Sequence, residues 1–167
     1  MTAMKKIAAL ALVMCVAACA TDGAKGPDAR ARQAASMPRL GSDEVLSRFS
    51  ALPAQTLAEG ECGLFLWLKR EDAPLVFFQR SNSLAAEMIV DGSLRSLTRD
   101  GAERPIGMSF FEKQNFVGDD LRVTLRIAVE SDRTLQGGLK VPSGMISIDT
   151  MEGWSAALPV AGAIGCK

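Results

Sequence analysis

The chain has 167 residues, 23% of them charged, and a formal net charge of zero, a size for one domain with a short appendage. It contains no His and no Tyr. That removes the commonest general base, Ser-His and Cys-His nucleophile pairs, and imidazole metal sites. No basic patch stands out, which argues against nucleic acid as a partner.

Met4-Lys5-Lys6 leads into residues 7–18, an apolar run without a charge. A basic start, an apolar run and small residues at its end make a secretory signal peptide. The run falls short of the roughly 20 residues that a membrane-spanning helix needs. It closes on Val16-Ala17-Ala18-Cys19. This resembles the lipobox of bacterial lipoproteins: an aliphatic residue, two small ones, then the Cys to be acylated. The resemblance implies a diacylglycerol thioether on Cys19, cleavage before it, and acylation of the new amine. Each buried CH₂ adds about 0.8 kcal/mol, so two or three chains hold where one would not. Cys15 is a rival, but Met14 before it fits the cleaving enzyme poorly, so Cys15 is expected to leave with the signal. Residue 20 is Ala, not Asp. By resemblance to enteric lipoproteins, that implies the periplasmic face of the outer membrane, with the inner membrane as the alternative.

The expected organisation is a removed signal peptide at 1–18, a lipidated Cys and flexible tether at 19–41, and one β-rich periplasmic domain at 42–167. Residues 20–41 are small, polar and broken by Gly and Pro. A coil of that length spans about 25 Å. Its Arg30, Arg32 and Arg39 offer contacts to anionic lipid, or are simply solvated. Without Lys5 and Lys6, acidic residues exceed basic ones by two. Cys62 and Cys166 remain, and an even pair in an oxidising compartment usually becomes a disulfide. It would close a loop of about 100 residues, worth roughly 4–5 kcal/mol in chain-entropy terms. Two free buried thiols are the alternative. The C-x-x-C spacing of a redox pair is absent.

Ser42 offers a helix N-cap, followed by Asp43 and Glu44, which suit the positive end of a helix. Leu46, Phe49 and Leu52 share a stripe and Pro53 stops it, so a short helix is expected over about 43–52. Leu64-Phe65-Leu66-Trp67-Leu68 reads as a strand with both faces covered. After Pro74, Leu75-Val76-Phe77-Phe78 reads as a second. Residues 84–90, the hairpin turn Asp91-Gly92 and a return strand over 94–99 follow, ending at Asp100-Gly101. Met108, Phe110 and Phe111 suggest a strand, with one Phe of the pair exposed because neighbours point to opposite faces.

Leu121, Val123, Leu125, Ile127 and Val129 alternate with Arg122, Thr124, Arg126, Ala128 and Glu130, the pattern of a half-buried antiparallel strand. Gly137-Gly138 marks a turn. Residues 145–148, a turn at Glu152-Gly153, and 154–160 form a last hairpin, with Trp154, Ala156, Leu158 and Val160 on one face. Pro159 belongs at an edge or near a strand end. The fold class is therefore mainly β, a small antiparallel sandwich or barrel of about eight strands with one short N-terminal helix. A Cys62–Cys166 bridge would fasten its two ends.

No catalytic, cofactor-binding or metal-ligating residue emerges. No Gly-rich phosphate loop is present, and two Cys without His exclude structural zinc. Asp119-Asp120 reads as a turn, with a calcium contact as the alternative. Phe65, Trp67, Phe77, Phe78, Phe110, Phe111, Phe116 and Trp154 read as core, or as the lining of an apolar groove.

The layout of anchor, small barrel and paired Cys resembles the membrane-bound inhibitors of c-type lysozyme. Residues 86–92, followed by Leu94 and Leu97, are similar to their central hairpin. Those inhibitors follow it with a Ser-Ala-Ser-Gly-type loop, whereas here residues 98–104 read Thr-Arg-Asp-Gly-Ala-Glu-Arg. No inhibitory residue is carried over. Residues 61–67, Gly153-Trp154 and 158–162 are also similar to uncharacterised envelope lipoproteins of alphaproteobacteria.

The functional expectation is a non-enzymatic, lipid-anchored envelope module. It meets the membrane through acyl chains on Cys19 and binds an envelope protein or peptidoglycan, with no cofactor. The alternatives are a lysozyme inhibitor-like protein, a carrier of lipid or another apolar ligand, and an unrecognised hydrolase.

Overall fold

The computed structural model describes residues 42–131 and 137–167. Cys19, the signal peptide and the tether lie outside the described residues, and so does the segment just before Gly137. The elements are α1 (Ser42–Ser47), β1 (Phe49–Ser50), β2 (Cys62–Leu68), β3 (Leu75–Arg80), β4 (Ala85–Val90), β5 (Ser93–Gly107), β6 (Phe110–Val117), β7 (Leu121–Ser131), β8 (Leu139–Thr150) and β9 (Ser155–Cys166).

All pairings are antiparallel, in the order β4-β3-β2-β9-β8-β7-β6-β5, and β5 pairs back with β4. The result is a closed eight-stranded barrel, with β1 as an extra strand on β4. Closure removes the exposed edges that an open sheet would present. It settles the choice between sandwich and barrel.

Alternation explains the interior. Leu64, Leu66 and Leu68 point inward from β2, as do Leu121, Val123, Leu125 and Ile127 from β7, and all are buried. Phe77 crosses the interior to Phe116, ring centroids 5.4 Å apart and edge to face. Trp154, Ala156, Leu158 and Val160 form the expected inward face. Side chains fill the interior, as in other small barrels.

The Asp91-Gly92 turn holds, with φ of 51° and 72° at its two central residues. Pro159 sits where the β2 ladder stops. Leu68 pairs with Val160, and beyond it Lys69 N–H donates to the Pro159 carbonyl. The missing Pro N–H therefore breaks no ladder bond.

Four expectations change. The helix ends at Ser47, and Phe49 and Ser50 pair with Val90 and Ile89 instead. Phe49 and Leu52 are still buried, Phe49 from strand β1 and Leu52 from the irregular segment after it, and Val45 replaces Leu46 as the buried helical residue. Asp100-Gly101 is a bulge inside β5, not a turn, because β5 continues along β6 past the end of β4. The turn falls at Gly107-Met108-Ser109, all at positive φ. Finally, β2 is not covered on both faces: Phe65 is half-buried and Trp67 is 36% exposed.

Candidate functional site

One end of the barrel is closed by α1 and β1. Val45 and Phe49 join the core there, and the Arg48 guanidinium lies 4.8 Å from the Trp154 ring centroid while reaching Asp91 at 3.2 Å. At the other end Cys62 and Cys166 form a disulfide between directly opposed residues of β2 and β9. The Met108 sulfur stands 3.3 Å from Cys166 Sγ.

Polar side chains also point inward. Gln114 is fully buried, and its carbonyl accepts from Arg99 Nη1 at 3.0 Å. Arg99 also donates to the Ser109 carbonyl and lies over Phe111, and burial lowers its pKa from the ordinary value. Phe110 is buried and Phe111 half-buried, so the pair divides between faces as expected. Gln79 is buried on β3 with no protein partner for either amide atom among the described residues.

The outer wall is uneven. Residues after β1 run down the outside of β3: Leu52 N–H bonds the Leu75 carbonyl, and Arg80 donates to the Thr56 carbonyl. A Cβ on Gly63 would touch Leu57 and the rings of Phe65 and Phe78. This strap covers Phe78 and leaves Trp67 open. Register extends the apolar surface sideways, because Phe65 pairs with Ala163, Trp67 with Ala161, and Pro159 with Met145. Phe65 and Trp67 stack, with centroids 6.1 Å apart.

Beside this strip a half-open groove of about 600 Å³ runs between α1 and the β8–β9 rim. Leu68, Ala156 and Pro159 give it apolar contact, and Lys69, Arg70 and Asp149 supply charge. Arg70 is paired with Asp72. Groove and strip share Pro159 and adjoin at Lys69, so they form one surface. An apolar floor with a few placed polar groups is the usual character of a binding site.

Asp119 and Asp120 lie in the bend between β6 and β7, where Asp120 faces Arg95 at 3.4 Å and its carbonyl accepts from Met151 N–H. This is the turn reading. Residues 98–104, where the resemblance puts an inhibitory loop, lie within β5 and pair with β6. Sequence reasoning missed the wall. Its signal lay in the small residues Ala161 and Ala163, which pair with the aromatic positions Trp67 and Phe65 of β2.

The fold is a closed antiparallel barrel with an apolar strip and a groove on its outer wall. No family model, curated protein or solved structure matches the chain.

Proposed function

We infer that the chain is a lipid-anchored cell-envelope module that binds rather than catalyses. Acyl chains on Cys19 hold it at the periplasmic face of the outer membrane, and the outer wall of β2, β9 and β8 is its binding surface. The observation that carries this reading is Trp67. It stays 36% exposed at the centre of an apolar strip that continues into a charged groove. Exposed apolar patches with polar borders mark interaction sites. The filled interior directs attention outward, and the lack of His and Tyr supports a role without catalysis.

Photo-crosslinking in cells tests it. A photoreactive residue at Ala157, on the wall, is expected to give a discrete adduct, and one at Glu87, on β4, is expected to give none. Equal background labelling from both positions would contradict the reading.

A further inference from the structure

The wall carries a charged margin. Lys69 adjoins Pro159 through its backbone bond, Met145 pairs with Arg126, and Ala163 pairs with Lys140. Lys69 and Arg126 make no ion pair among the described residues. Carboxylates are present too: Glu130 pairs in register with Lys140, and Asp149 with Arg122. Asp149 lines the groove with Lys69 and Pro159, and Glu103 is within coulombic reach of Arg126, so the margin mixes both signs, and Lys69 and Arg126 are its cations without an ion pair among the described residues. Trp67 and Met145 are 36% and 40% exposed, and their β9 partners are the small or compact Ala161 and Pro159.

An exposed Trp with an apolar surround suits the boundary between headgroups and acyl chains. Each Lys or Arg near an anionic membrane surface adds about 1 kcal/mol. A second copy of the chain is a poorer occupant. A two-fold contact sets a patch against itself, which would bring Lys69 and Arg126 against their own like charges.

We propose that this wall docks on the surface of an anionic bilayer, with Trp67 and Met145 seated at the interface and Lys69 and Arg126 on lipid phosphates. The proposal rests on the reading of the wall as binding surface and names its partner. It adds a second membrane contact, made by the folded domain, to the anchor at Cys19.

The test uses the full chain, purified from membranes and reconstituted in vesicles whose acyl chains carry bromine. Trp67 and Trp154 are the two tryptophans of the chain, and Trp154 is buried. Bromine is expected to quench Trp67 in phosphatidylglycerol vesicles and not in phosphatidylcholine vesicles. Trp67→Phe removes the quenching. Lys69→Gln and Arg126→Gln each weaken docking about fivefold, the equivalent of about 1 kcal/mol per cation.

Absence of quenching in phosphatidylglycerol, or equal quenching in phosphatidylcholine, overturns the proposal. So does a face-to-face dimer crosslinked through position 145. Intact mass separates the two claims. An acylated chain that is not quenched leaves the anchor standing and removes the docking. A chain without acyl groups removes the anchor, and its quenching on added vesicles still decides the docking.

Discussion

Cys62 and Cys166 stand directly opposite each other at the end of the β2–β9 ladder, with Cα atoms 4.0 Å apart. The bridge therefore joins the first and last strands of the barrel where they are already paired. It closes a sequence separation of 104 residues. Cys62→Ser with Cys166→Ser is expected to lower unfolding stability by about 2–5 kcal/mol. Urea unfolding measures this, and an unchanged midpoint would mean that the β2–β9 pairing needs no bridge.

Arg48 ties α1 to two hairpins, through the Trp154 ring and the Asp91 carboxylate. Arg48→Ala is expected to cost about 1 kcal/mol, mostly from the cation–π contact, since the ion pair is partly exposed. A double-mutant cycle with Trp154→Phe should show coupling. Strict additivity would contradict the contact.

Glu61 accepts from Ala58 N–H at 3.0 Å and from Arg80 at 2.7 Å. The Ala58 hydrogen bond leads in holding its carboxyl below the ordinary glutamate value, opposed by burial and aided by Arg80. A depressed folded-state pKa gives stability that is present above the unfolded value and is lost as pH falls through the folded one. Acid unfolding below about pH 4 should therefore flatten in Glu61→Gln, while stability at neutral pH falls. Parallel pH profiles for the two proteins would exclude this role.

Gln79 is buried in the barrel with neither amide atom bonded to protein among the described residues. A buried amide without a partner costs about 1–3 kcal/mol. Gln79→Met, similar in volume, should leave stability unchanged or raise it by about 1 kcal/mol. A clear loss of melting temperature would show that the amide has a partner.

Gly162 lies opposite Leu66, and a Cβ there would run into the Phe65 carbonyl. The neighbour is backbone, so it cannot swing aside. Gly162→Ala is expected to destabilise by about 3 kcal/mol, whereas Gly165→Ala, with nothing near its Cβ, should be mild. Equal effects in a thermal melt would refute the close approach.

Much of the barrel was legible because its strands alternate. β7 shows Leu, Val, Leu and Ile inward against Arg and Thr outward, and Asp91-Gly92 carries its turn chemistry in two residues. The lengths of β5 and β8 were not legible. Asp100-Gly101 has turn composition, and only pairing with β6 shows that the strand runs through it. The wall was hidden for a related reason. The run 64–68 is apolar at every position, so local pattern cannot tell a doubly covered strand from one with an exposed aromatic face. Register with Ala161 and Ala163, far along the chain, makes that distinction. The lipobox reading of Cys19 rests on the pattern of residues 16–19.

The most direct test of a lipid-anchored, bridged envelope module is the intact mass of the protein extracted from membranes, before and after reduction. The expected species starts at Cys19, carries a diacyl or triacyl modification there, and gains two hydrogens on reduction. A full-length, unmodified chain with free thiols would contradict the anchor and the bridge together.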